Sequence, residues 1–95
     1  MALNEKTKAI YLTEILKLGA KEEFIRAPTT LLAKLFGASQ QTASRIILSL
    51  LSEGLLERKL IDGVTFVKIS DKGMSLLQRF KREVDEIFNS PGSYS

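Results

Sequence analysis

Between Gly37 and Arg58 the chain reads GASQQTASRIILSLLSEGLLER, with its hydrogen-bonding side chains crowded into one end. Ser39, Gln40, Gln41, Thr42, Ser44 and Arg45 come first, and Ile46, Ile47, Leu48, Leu50 and Leu51 follow. A helix that only packs mixes polar and apolar positions along its whole length, because its faces repeat every 3.6 residues or so. The crowded side chains share a chemistry. A Gln carboxamide can pair with the edge of adenine, and an Arg guanidinium can bridge O6 and N7 of guanine. Ser and Thr hydroxyls can serve base edges or phosphates. The unpaired amides of a helix N-terminus favour an anion such as phosphate. Ser and Thr also cap ordinary solvated helices, so the flanking elements decide between the two.

Other chemistries find few residues. His and Cys are absent, which removes the commonest general base, the commonest metal ligand and any disulfide or thiolate site. No carboxylate pair, phosphate-cradling glycine loop or nucleophile–base set stands out. The expectation is a chain that is not an enzyme and uses no cofactor or metal. No segment nears the ~20 apolar residues of a membrane span, and no signal peptide is visible. A cytoplasmic protein without membrane contact is expected. The 95 residues, 44% of them hydrophobic, suit one soluble globular domain. The net charge is +3, and residues 1–70 hold ten Lys/Arg against seven Asp/Glu while residues 71–95 hold four of each. The basic excess therefore lies in the part that carries the polar segment, which is compatible with a nucleic-acid partner.

Periodicity places the elements around that segment. A first helix is predicted from about Glu5 to Leu18, apolar over a wide face (Ile10, Tyr11, Leu12, Ile15, Leu16, Leu18) and stopped by Gly19. Phe24 to Ala27 reads as a short extended stretch, halted by Pro28. A second helix opens at Thr29 and Thr30, carries Leu31, Leu32, Leu35 and Phe36, and closes at Gly37. Ser39 caps a third helix over residues 39–53 by accepting from the amide of Gln41 or Thr42, and Gly54 ends it. Its register turns Ala43, Ile47 and Leu50 inward, with Leu55 just beyond, and leaves Gln40, Gln41, Thr42, Ser44 and Arg45 outward.

From Leu56 to Ile69 the period changes to 2, and Asp62-Gly63 is the preferred pair for a type I′ hairpin turn. That turn sets Ile61 opposite Val64, Lys59 opposite Phe66, Glu57 opposite Lys68 and Leu56 opposite Ile69. Leu56, Val67 and Ile69 then face the core, and an exposed Glu57–Lys68 pair faces away. Ser70 caps a last helix predicted to run unbroken from about Asp71 to Asn89, ~28 Å at 1.5 Å per residue. Residues 1–89 form the expected domain and 90–95 a disordered tail or linker.

This order of helices, turn and hairpin gives an α+β, mainly α, fold: a winged helix-turn-helix with a three-helix core, a β-hairpin wing and a long C-terminal helix. In it, helix 39–53 is the recognition helix of the major groove and hairpin 56–69 the wing. Arg58, Lys59 and Lys68 on the wing are candidates for phosphates, contacts that position without specifying. The tip, Ile61-Asp62-Gly63-Val64, has an acid and no base, which argues against its deep entry into the minor groove.

The stretch LAKLFGASQQTASRIILSLLSEGLLER, followed by a hairpin and ISDKG, resembles the MarR-type winged helix. SQQTASR followed by EGLLER is similar to the N-terminal DNA-binding domain of archaeal riboflavin kinase regulators, which join it to a CTP-dependent kinase. The resemblance covers roughly residues 28–75. It implies a transcription regulator that binds double-stranded DNA sequence-specifically, and does not carry the kinase activity over. Leu77, Phe80, Val84 and Ile87 form a short apolar seam. With the wide apolar face of the first helix, and by the same resemblance, a homodimer through the first and last helices is expected. Leu48 and Leu51, where such relatives tend to carry charges, are expected to be at least half buried, under the final helix or against a partner chain. The competing expectation is a winged-helix module that binds proteins, or regulates an attached enzyme, without touching DNA.

Overall fold

In the computed structural model, which describes residues 3–88, the chain forms eight elements. They are α1 (Glu5–Leu16), β1 (Ile25–Arg26), α2 (Thr29–Phe36), α3 (Gln40–Ser52), β2 (Leu56–Ile61), β3 (Val64–Ile69), α4 (Asp71–Arg79) and α5 (Lys81–Phe88). Side-chain oxygens satisfy the first free amides of three helices. Asn4 accepts from the Thr7 amide at 2.7 Å, Ser39 from the Thr42 amide at 3.1 Å, and Ser70 from the Gly73 amide at 3.0 Å. Pro28 precedes α2 with φ −64° and offers no side-chain cap.

The hairpin register is the expected one at every pair, from Leu56 opposite Ile69 to Ile61 opposite Val64. Asp62 (φ 50°) and Gly63 (φ 77°) both lie in the left-handed region that a type I′ turn requires. Glu57 and Lys68 stand opposite each other, yet no ion pair joins them among the described residues. The expected extended stretch becomes β1, a third strand paired antiparallel with β3, so the sheet order is β1-β3-β2.

Two helix boundaries differ from expectation. α1 ends at Leu16 rather than Leu18, because the Leu18 and Gly19 amides fold back onto the Ile15 and Leu16 carbonyls at 3.0 and 2.9 Å in a tighter turn. The last helix is not continuous. It breaks at Phe80 (φ −111°, ψ 35°), and both halves pack along α1. A straight rod would leave α1 after a few turns, whereas the bend buries Leu76, Leu77 and Val84 together. Asn89 and the tail 90–95 lie outside the described residues.

α1 is the centre of the core, touched by α2, β3, α4 and α5. That is why its apolar face is so wide. Leu12, Ile15, Ile46, Leu50, Val67 and Ile69 are essentially inaccessible, and Tyr11 meets Phe36 edge-on at 5.0 Å. Ile46, absent from the inward set read from the sequence, belongs to the core. Leu77 and Val84, expected to meet a partner chain, are instead buried within their own. The polar residues of the core are paired. Thr13 donates its hydroxyl to the Ala9 carbonyl at 2.7 Å, and Lys8 meets Glu53 at 2.6 Å.

The junction of α3 with α4 pins the end of α3. The Ser70 hydroxyl donates to the Gly54 carbonyl at 2.6 Å, and Lys72 Nζ donates to the Glu53 carbonyl at 2.8 Å. Gly73 lies against this junction with no room for a side chain. A Cβ there would overlap the Leu55 carbonyl oxygen and stand 2.8 Å from Ile69 Cγ2. Gly73→Ala is therefore expected to destabilise by about 1–3 kcal/mol, the usual cost of overpacking. Melting should record it as a drop of about 4–8 °C per kcal/mol in a domain of this size. An unchanged Tm would mean that α4 can shift away from the Leu55 carbonyl at no cost.

Candidate nucleic-acid interface

The turn between α2 and α3 is Gly37-Ala38-Ser39. Gly37 takes the left-handed conformation (φ 63°, ψ 38°), and the Ala38 amide bonds back to the Ala33 carbonyl at 2.9 Å. This closes α2 with the C-cap geometry that glycine supplies without a Cβ penalty. Ser39 then starts α3 and swings its first turn into solvent.

Of the expected α3 residues, Gln40, Gln41, Ser44 and Arg45 are exposed and Thr42 is half-buried. The Ser39 hydroxyl also donates to Thr42 Oγ1 at 3.1 Å, so these two hydroxyls serve each other as well as the cap. The side chains presented outward are thus Gln40, Gln41, Ser44 and Arg45. No Asp or Glu occurs between Gln40 and Ser52, so the face repels no anion.

The sheet divides the three wing cations. Arg58 stands opposite Val67 and lines a small cleft with Ser44 and Ile47 of α3, together with Thr29 and Thr65. Lys59 and Lys68 project to the other face. Their ammonium groups lie 4.3 and 6.0 Å from the centroid of the Phe24 ring, within reach of its negative face. Arg26, exposed and opposite Phe66, joins that outer face through β1. The structure therefore brings Arg58 to α3 and keeps Lys59 and Lys68 away from it.

Lys34 went unread in the sequence. With Thr30 it rims a shallow groove whose far side is Ser39 and Gln40. The signal was its place in the last turn of α2, one turn before Gly37. At the wing tip Leu60 and Ile61 are exposed beside Asp62.

Leu51 is more than half buried, as expected, though against the domain's core and not under the final helix, while Leu48 remains 52% exposed. The expectation for Leu48 fails within this chain because α4 and α5 pack on α1 and do not cover the outer side of α3.

A helix-turn-helix followed by a hairpin wing is a winged helix, and the fold is that of the MarR-family regulators. It matches S. aureus MepR in a DNA complex with a TM-score of 0.62 and 18% identity, over all of this chain and 65% of that one. It matches a MarR-family transcriptional regulator from Silicibacter pomeroyi with a TM-score of 0.60 and 20% identity, over 88% of this chain and 58% of that one.

In sequence the chain resembles archaeal riboflavin kinases. It is 32% identical over 79 residues to the riboflavin kinase of Methanosarcina barkeri, and 33% identical over 84 residues to that of Archaeoglobus fulgidus. The chain spans about a third of their length, 35% and 36%. No family model matches it. These relatives correct the expectation that the chain is not an enzyme, since the proteins it resembles in sequence are named for one. Among the described residues no helix is long and apolar enough to cross a membrane.

Proposed function

We propose that this chain binds double-stranded DNA sequence-specifically as a transcription regulator, with α3 in the major groove and the β2–β3 hairpin as the wing. The observation that carries the proposal is the outward face of α3. It presents Gln40, Gln41, Ser44 and Arg45, contains no acid, and is flanked by Lys34 and Arg58. In this arrangement Gln40, Gln41 and Arg45 read base edges, while Ser44, Lys34, Arg58 and the capped N-terminus of α3 hold phosphates. Ser39 and Thr42 hold the first turn in shape. Lys59 and Lys68, on the outer sheet face, contribute charge at longer range. That the MepR neighbour was solved as a DNA complex supports the same mode.

The test is binding of a duplex selected from a random pool, followed across salt. Each phosphate contact adds about 0.9 to the negative log–log slope. Arg58→Ala and Lys34→Ala should each lower the slope by about that amount, on selected and random duplexes alike. Lys59→Ala and Lys68→Ala should change it by less than half as much. Equal effects of all four would mean that the outer sheet face also meets DNA, and no effect would remove the wing from the interface.

A homodimer belongs to the same proposal. Two α3 helices about 34 Å apart would meet successive major grooves of an inverted repeat. Sedimentation as a monomer at tens of micromolar, on and off DNA, would limit the site to one half.

The riboflavin kinase kinship favours a second reading, a winged-helix module that regulates such a kinase. Salt-insensitive association with a riboflavin kinase, with no duplex affinity, would establish it in place of the first.

A further inference from the structure

The outward stripe of α3 runs through Gln41, Arg45, Leu48 and Ser52, spaced four, three and four apart and therefore on one side of the helix. Three of these are polar. The fourth is a leucine at 52% exposure, whereas Ile46, Ile47 and Leu50 of the same helix are 1%, 5% and 0% exposed. A single exposed leucine is common on protein surfaces, so its position has to supply the argument. Leu48 lies one turn beyond Arg45, ~4.5 Å further along the axis at 1.5 Å per residue. With Arg45, Ser49 and Ser52 it lines a shallow depression that contains no acidic side chain. α4 and α5 are committed to α1, and the stripe stays open.

The edges of base pairs in the major groove offer hydrogen-bond donors and acceptors and one apolar group, the C5-methyl of thymine. We infer that Leu48 is a specificity-determining residue whose side chain packs on a thymine methyl, next to the base pair read by Arg45. The inference rests on α3 being the recognition helix. Leucine makes no hydrogen bond, so it discriminates by shape. Thymine fills the depression, and the same position without its methyl leaves an apolar side chain facing water.

The experiment uses the duplex that the natural chain selects from a random pool. Thymines are replaced one at a time by uracil, which removes the methyl and leaves base pairing intact. At one thymine in each half-site, uracil should weaken binding about fourfold, equivalent to the ~0.8 kcal/mol of one buried methylene-sized group. Leu48→Ala should bind the thymine duplex at least fourfold more weakly and should no longer distinguish thymine from uracil there. Leu48→Met should restore the distinction. Both variants should keep a cooperative melting transition, with Tm lowered by no more than a few degrees in Leu48→Ala, because half of the side chain is already exposed. Uracil tolerated at every thymine would overturn the inference. So would a uracil penalty that persists undiminished in Leu48→Ala, or a Leu48→Ala chain that keeps its DNA affinity and loses a protein partner. In each of these cases the natural chain still selects a duplex, and only the role of Leu48 falls. If the natural chain selects no duplex at low salt, the recognition-helix reading fails and this inference fails with it.

Discussion

A chain carrying Leu77→Asp is expected to be unfolded in ordinary buffer, and not simply dissociated from a partner. Leu77 is 3% exposed and belongs to the cluster that α4 forms with α1. An aspartate there would lose most of its hydration among Leu12, Ile15 and Leu76, with Lys81 only at the rim of the same pocket, at a cost of several kcal/mol. That is comparable to the whole stability of a small domain, ~5–15 kcal/mol. Val84→Asp, at 9% exposure and nearer the rim, should leave a cooperative transition at lower Tm, because its carboxylate can turn toward water. Far-UV circular dichroism with urea titration reads both variants, and sedimentation reports on assembly. A folded, monomeric Leu77→Asp chain would mean that the α4–α5 seam is not held by α1, and would return it to the role of a dimer contact.

The hairpin was legible in full because its register is a local matter. Asp62-Gly63 fixes the turn, and alternation then assigns every side chain to a face. The same alternation already separates Arg58 from Lys59 and Lys68, a division open to anyone who follows it through. The caps at Ser39 and Ser70 were equally legible, since each depends on residues three apart. What depends on distant partners was not. The extended stretch of β1 was expected, but not its pairing with β3, where the Ala27 amide bonds to the Thr65 carbonyl at 2.9 Å just beyond the strand. The break at Phe80 has no proline or glycine to announce it, and is tied to the packing of both halves on α1, which lies far earlier in the chain. Lys8 reads as a surface lysine until Glu53, 45 residues later, comes to meet it. The missing His and Cys pointed away from enzymes. Residue types missing from this chain, however, do not speak for riboflavin kinases of which it spans about a third.

Arg45→Ala is expected to weaken binding to the selected duplex by about 5- to 150-fold, the 1–3 kcal/mol of a bidentate guanine contact at 1.4 kcal/mol per decade. Arg45 is exposed, and none of the described hydrogen bonds or ion pairs engages its guanidinium, so no internal contact competes with a base for it. Its removal should therefore leave the melting temperature unchanged. The loss should fall on one base pair: where the natural chain prefers guanine, the alanine variant should accept any base. Arg45→Lys separates charge from shape. Lysine keeps the positive charge but not the planar fork, so affinity for random duplex should be retained while preference at that position declines. An equal loss on selected and random duplexes for Arg45→Ala, with full rescue by lysine, would make Arg45 a phosphate contact. Sequence reading would then rest on Gln40, Gln41 and the apolar contact of Leu48.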